Sequence, residues 1–122
     1  MASGHRLSFL IIESERKDGL STRKLLLESA KHNVITAYSG KEGVATHQRF
    51  PNIDAVCIEA ELNDLGGEEI ARKIRAINPK ICVVGLSPRL AARCEWADHT
   101  IDSHDPSALL NLLQELGGRT DI

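Results

Sequence analysis

The chain has 122 residues, enough for one domain with its own hydrophobic core and too few for two. Aromatic residues make up only 3% of the chain, so this core must be built from Leu, Ile, Val and Ala. Fifteen Lys and Arg residues against seventeen Asp and Glu residues give a formal net charge of −2, which provides no electrostatic attraction to nucleic acid or to an anionic membrane. No apolar run approaches the ~20 residues that span a bilayer, and the first apolar stretch is too short for a signal peptide, so we expect a cytoplasmic protein without a membrane partner.

The three cysteines, Cys57, Cys82 and Cys94, are odd in number and form no CxxC pair. Two of them lie inside apolar runs, where a free thiol behaves as a small hydrophobic side chain. We therefore expect reduced thiols, as in a reducing compartment. A zinc site made of Cys94, His99 and His104 is conceivable, but its spacing matches no standard ligand pattern.

The first part of the chain alternates apolar runs with amphipathic stretches. The run at 6–13, RLSFLIIE, predicts a buried strand that ends at an acid. The segment 17–31 repeats its apolar residues at helical spacing, and 33–38 is strand-like again. Ser39 then suits the N-cap of a short helix at 41–49.

The second part of the chain continues the same alternation. Its predicted elements are a strand at 53–59, a helix at 68–77, a strand at 80–87, a helix from Pro88 to about Ala97, a strand at 99–102 and a helix at 106–116. The histidines His5, His32 and His47 belong to no motif, and we expect them to be exposed.

The order of the elements is a βα unit repeated five times, so residues 1–122 should form one domain with its core at about 6–116. Strands that are apolar throughout and alternate with amphipathic helices indicate an α/β fold with a parallel sheet covered on both faces. In such folds, chemistry collects at the carboxyl ends of the strands. At these ends the sequence places Glu13-Ser14-Glu15, Glu59 and Ser87.

With two carboxylates and a hydroxyl at one sheet edge, the chain resembles the receiver (CheY-like) domain of two-component response regulators over about residues 6–116. The resemblance implies a flavodoxin-like (βα)5 three-layer sandwich with a parallel sheet of order 2-1-3-4-5. In that family, an acid pair after the first strand helps to hold Mg²⁺, and an aspartate after the third strand accepts a phosphoryl group. A Thr or Ser ends the fourth strand, and a lysine before a cis-proline follows the fifth.

Carried onto this sequence, the acid pair falls on Glu13 and Ser14, and the phosphoacceptor position falls on Glu59. Ser87 keeps the hydroxyl of the fourth strand, and Glu61 would offer its backbone carbonyl to a metal ion.

Other positions depart from the family pattern. Asn63 stands where the family's loop usually has proline, and Gly66-Gly67 where it has Asp-Gly. The lysine-proline position falls on Asp102-Ser103, or on Ser103-His104 with a shift of one residue, and neither pair contains lysine.

These departures predict a site that no longer accepts a phosphoryl group. The side chain of Glu59 is one methylene longer than aspartate, and a misplacement of about 1 Å can cost on the order of a hundredfold in rate. The missing lysine removes a cation that would stabilise an acyl phosphate. Ser14 removes one anionic metal ligand, for which Glu15 compensates only in part, so Glu13 and Glu59 should hold Mg²⁺ weakly.

The connection before the fifth strand is also unusual. From Ser87 to Asp102 the chain advances fifteen residues, about six or seven fewer than the family usually has, or roughly two helical turns. We therefore expect a shortened fourth helix and a rebuilt surface. Trp96, with Arg89 and Arg93 nearby, is a candidate interface residue, or else a half-buried cover for the shortened helix.

The residues favour a degenerate receiver (pseudo-receiver) of a bacterial two-component or phosphorelay pathway, a signalling domain that is not an enzyme and binds protein partners independently of phosphorylation. It would need no cofactor beyond weakly bound Mg²⁺. One alternative is a functional receiver phosphorylated at or near Glu59 with Mg²⁺. Another is a small flavodoxin-like nucleotide- or flavin-binding protein, although ESERKDG after the first strand begins with two acids where such a loop needs glycines.

Overall fold

A computed structural model describes the sheet and most of the helices of this chain. The described residues are 7–14, 22–29, 31–60, 62–88, 94–103, 105, 107–109, 111–112 and 115. In chain order they form β1 (Ser8–Ile12), α1 (Thr22–Ser29), β2 (Asn33–Ala37), α2 (Gly40–Arg49), β3 (Ala55–Glu59), α3 (Gly67–Ile77), β4 (Cys82–Ser87) and β5 (His99–Asp102). Residues 107–109, 111, 112 and 115 are also helical, and we call them the C-terminal helical residues.

The five strands form one sheet in the order β2-β1-β3-β4-β5, and every neighbouring pair is parallel. Strand β1 lies between β2 and β3, and its Leu10 pairs with Ile35 on one side and with Val56 on the other. The predicted flavodoxin-like α/β fold and its strand order are confirmed. Among the described residues, no helix is long and apolar enough to cross a membrane.

The hydrophobic core lies on both faces of the sheet, because the strands are buried on both sides. On one face, strand residues pack with Ile70 and Ile74 of α3 and with the partly buried Val44 of α2. On the other face, strand residues pack with Leu27 of α1 and Leu109 of the C-terminal helical residues. This arrangement is the three-layer sandwich that the apolar runs predict.

The N-terminus of α2 is capped from two directions. The hydroxyl of Ser39, the predicted N-cap, accepts the backbone N–H of Glu42 at 3.0 Å. The carboxylate of Asp64 accepts the N–H groups of Gly40 and Lys41 at 2.8 Å each, and these hydrogen bonds lower the pKa of Asp64. The loop between β3 and α3 is therefore tied to α2 beside the edge where the site lies.

The fourth connection differs from the helix predicted up to Ala97. Residues 95–98 form turns and bends, while residues 89–93 lie outside the described residues. The physical reason is packing against the sheet: a Cβ on Gly85 of β4 would approach both the Cβ and the Sγ of Cys94 to 2.7 Å. The N–H of Asp98 donates to the carbonyl of Val83, and the N–H of Val83 donates to Oδ2 of Asp98, each at 2.8 Å, just before β5 begins.

The expectation of exposed histidines is wrong for both that the structure describes. His47 is 0% exposed because it lies on the face of α2 that also buries Gly40 and Gly43. His32 is half-buried, and its Nδ1 accepts the backbone N–H of Leu7 at 3.1 Å. His5 lies outside the described residues.

Candidate functional site at the carboxyl edge of the sheet

Two of the predicted site acids end neighbouring strands. Ile12 of β1 is in register with Ile58 of β3, so Glu13 and Glu59 follow at the next position of each strand. Glu13 continues the pairing of β1, because its N–H donates to the carbonyl of Ala37 at 3.0 Å. Since side chains alternate along a strand, both acids belong to the sheet face that α1 covers.

The carboxylate of Glu13 is buried and bound by an arginine. Only 1% of its side chain is exposed, and its Oε1 accepts hydrogen bonds from Nε and Nη2 of Arg23 at 3.0 and 2.8 Å. The remaining guanidinium nitrogen, Nη1, donates to the backbone carbonyl of Ser103 at 3.1 Å. Arg23 therefore joins α1 to the end of β1 and to the turn after β5.

Arg23 is the functional residue that the sequence analysis missed. It lies four residues before Leu27, so it shares the face of α1 that packs on the sheet. A basic residue at that spacing on an otherwise apolar stripe was the available signal. A buried charge needs a partner, and the nearest strand end supplies Glu13.

The second oxygen of Glu13, Oε2, is buried and has no hydrogen-bond partner among the described residues. The charge of the adjacent guanidinium offsets part of its desolvation. Removing one member of a buried pair of this kind costs about 3–5 kcal/mol, since the other charge is left uncompensated. The Glu13–Arg23 pair is therefore an obligatory unit of the site.

Glu59, at the phosphoacceptor position of the resemblance, turns toward the end of β1. Both of its carboxylate oxygens accept the backbone N–H of Ser14, at 3.3 and 3.2 Å. The Glu59 side chain is half-buried, whereas Ser14 is exposed. The longer glutamate arm thus binds a backbone amide of the neighbouring strand.

The other predicted positions lie along the same edge. Ser87 ends β4 with 2% exposure, and it is in register with Asp102 of β5. The N–H of Ser103 donates to the carbonyl of Ser87 at 2.8 Å. Neither Asp102 nor Ser103 is basic; the cation near this position comes from Arg23.

The described carboxylates at this edge already have partners within the chain. Among the residues that the structure describes, no group of three His, Cys, Asp or Glu side chains could hold a metal ion. One oxygen of Glu13 already binds Arg23, and both oxygens of Glu59 bind Ser14. Glu15 and Glu61, which the sequence offered as additional ligands, lie outside the described residues.

A cavity of about 340 Å³ opens beside this edge. The described residues that line it are Ser14, Tyr38, Ser39, Leu62, Asn63 and Asp64. None of them is basic, and Asp64 is engaged by the amides of α2. The cavity is therefore poorly suited to a phosphate group.

Trp96 packs inside the domain. Its indole ring lies on Gly67 at the start of α3, where a Cβ would overlap the ring. Nη1 of Arg75 donates to the carbonyl of Trp96 at 2.6 Å. These contacts place the half-buried Trp96 against α3. Arg89 and Arg93 lie outside the described residues, so a wider interface there stays a prediction.

Comparisons with known proteins agree with this architecture. No protein-family model and no curated protein sequence matches the chain. Among solved structures, it is similar to a response regulator receiver domain protein from Clostridium thermocellum, with 25% identity, a TM-score of 0.76, and 93% of this chain and 95% of that chain covered.

Two further structures have the same fold. A CheY-like receiver domain protein from Methanospirillum hungatei JF-1 has 21% identity and a TM-score of 0.78, with 94% of this chain and 96% of that chain covered. The chemotaxis response regulator CheY4 of Vibrio cholerae has 18% identity and a TM-score of 0.79, with 91% and 98% covered. The chain therefore has the fold of the CheY-like receiver domains that serve in two-component signalling.

Proposed function

We propose that this chain is a receiver-like signalling domain of a two-component or phosphorelay pathway that has lost phosphoacceptance. It acts as a protein-interaction module whose binding does not depend on phosphorylation. The observation that carries the proposal is the hydrogen-bonded pair of Glu13 and Arg23, which uses the first acid of the site for an internal contact.

Phosphoryl transfer to a carboxylate depends on placing the acceptor and neutralising charge at the transferred group. Here the carboxylate at the acceptor position, Glu59, binds the amide of Ser14 with both oxygens. The acid that would share a metal ion with it is paired with a guanidinium. Both features favour a site whose carboxylates are bound by groups of the same chain and do not accept a phosphoryl group.

A phosphorylation switch also needs a segment with two arrangements. The described part of the fourth connection, residues 94–98, packs against β4 and α3. Cys94 lies over Gly85, and Trp96 lies over Gly67, in spaces that only glycine leaves open. This packing supports a single conformation for the fourth connection, the segment that would change in a phosphorylation switch.

The alternative of a functional receiver, phosphorylated at or near Glu59, makes a distinct prediction. Beryllofluoride with Mg²⁺ imitates a carboxyl phosphate, so a functional receiver should bind it and shift the amide signals of Ser14, Glu59 and Ser87. We expect no saturable shift at these residues. An active receiver measured under the same conditions serves as the positive control, and saturable shifts in this chain would contradict the proposal.

The alternative of a nucleotide- or flavin-binding protein is less well supported by the cavity beside β2. Among the described residues that line this cavity none is basic, and the carboxylate of Asp64 caps α2. A phosphate group placed there would meet a carboxylate instead of free backbone amides. We therefore propose protein partners for this domain and no nucleotide cofactor.

A further inference from the structure

The guanidinium of Arg23 occupies the junction of three elements. It binds Glu13 after β1 through two nitrogens and the carbonyl of Ser103 after β5 through the third, while its backbone belongs to α1. Its side chain is 14% exposed, so nearly all of its contacts are with the protein.

We propose that Arg23 is a built-in cation that closes this sheet edge to divalent metal ions and fixes the edge in one arrangement. The inference goes beyond the proposed function, because it assigns a role to a residue outside the predicted site. It concerns cation binding and the stability of the edge, which can be measured whether or not the domain accepts a phosphoryl group.

Arg23 carries its charge on a planar guanidinium, whose fork suits paired hydrogen bonds to a carboxylate. A divalent ion approaching Glu13 would have to displace this fork from Oε1 or remain close to a like charge. Glu13 therefore has its counter-ion from within the chain.

The same contacts link α1 to the end of β4 through hydrogen bonds. Arg23 holds the carbonyl of Ser103, and the N–H of Ser103 donates to the carbonyl of Ser87 at 2.8 Å. The chain of contacts runs from α1 through the turn after β5 to β4. Loss of Arg23 should loosen all three strand ends, β1, β4 and β5.

The experiment compares wild type with Arg23→Met, which keeps the length of the side chain and removes its charge. Arg72→Met is the matched control, because Arg72 is exposed on α3. Mn²⁺ is titrated into each protein, and the dissociation constant is followed by paramagnetic broadening of the amides of Glu13 and Ser14. Thermal melting is recorded with and without Mn²⁺.

We expect Arg23→Met to bind Mn²⁺ at least tenfold more tightly than wild type and Arg72→Met, since the substitution leaves the carboxylate of Glu13 without its counter-ion. Its lowered melting temperature should rise with Mn²⁺, whereas that of the other two proteins should not. Equal Mn²⁺ affinity in wild type and Arg23→Met would overturn the inference.

If Arg23→Met does not fold, folding of the double variant Glu13→Gln/Arg23→Met tests the inference instead. Recovery of folding in the double variant supports the inference, because the carboxylate is then the group that Arg23 compensates. A double variant that also fails to fold overturns it. Phosphorylation of the wild-type protein would contradict the proposed function and leave these measurements unaffected.

Discussion

The indole ring of Trp96 lies against Gly67, the first residue of α3. This contact joins the shortened fourth connection to the helix that follows β3. It explains why a glycine is required at 67 and not at 66, since a Cβ on Gly66 would meet nothing within 4 Å. The two neighbouring glycines therefore form a matched pair for testing how the connection is held.

Gly67→Ala should destabilise the domain, because the added methyl group overlaps the ring of Trp96. Overpacking of this kind costs about 1–3 kcal/mol in the free energy of unfolding. Gly66→Ala should change it by no more than about 0.5 kcal/mol. Urea unfolding measures both, and tryptophan fluorescence reports displacement of the ring. Equal stabilities of the two variants would show that the connection tolerates movement of Trp96.

The buried His47 should make the domain sensitive to acid. Both ring nitrogens are buried without a hydrogen-bond partner among the described residues, and burial lowers the pKa of His47 below 6.5. The histidine of the unfolded chain, with a pKa near 6.5, then binds the proton more tightly than that of the folded chain. The free energy of unfolding therefore keeps its full value above pH 6.5 and decreases as the pH falls below it. The loss is about 1.4 kcal/mol for each pH unit until the folded-state pKa is reached.

His47→Leu should abolish this part of the pH dependence and leave the protein at least as stable at pH 7.5. It removes two unsatisfied polar atoms from an apolar site at similar volume. His99→Gln, on the half-buried edge strand β5, is the control and should retain the acid sensitivity. The free energy of unfolding, measured from pH 7.5 to 5, distinguishes the two variants. An unchanged pH profile in His47→Leu would refute this role for His47.

Glu59→Gln should have only local effects. The amide oxygen can still accept the N–H of Ser14, whereas the charge is lost at nearly constant shape. We expect amide shifts confined to the ends of β1 and β3, with Ser87, Trp96 and Thr100 unchanged. Affinity for a protein partner should stay within about threefold, under 1 kcal/mol. A tenfold loss of affinity in a folded variant would instead identify Glu59 as a constitutive phosphate mimic.

The fold was predictable because its signals are local. The strand at 80–87 is a continuous apolar run stopped by proline, and Ser39 combines N-cap chemistry with a helical pattern after it. Both features appear in the structure within one or two residues of the predicted limits. The strand order follows from the alternation of such elements and from the receiver resemblance.

The contacts that define the site were less predictable because they are distant in sequence. Arg23 reaches a carbonyl 80 residues away, and His47 lies on the face of α2 where Gly43 packs closely on Ile12 of β1. The turns and bends at 95–98 follow Cys94, whose close packing depends on Gly85 of β4. Helix propensity near Pro88 gave no information about that packing.

The most direct test of the central claim, the loss of phosphoacceptance, is the intact mass of the wild-type protein after incubation with acetyl phosphate and Mg²⁺. An active receiver treated in parallel shows that the donor and the detection work. The pairing of Glu13 with Arg23 and of Glu59 with Ser14 predicts an unchanged mass for this chain. A mass increase of one phosphoryl group, removed by hydroxylamine as an acyl phosphate would be, would contradict the account.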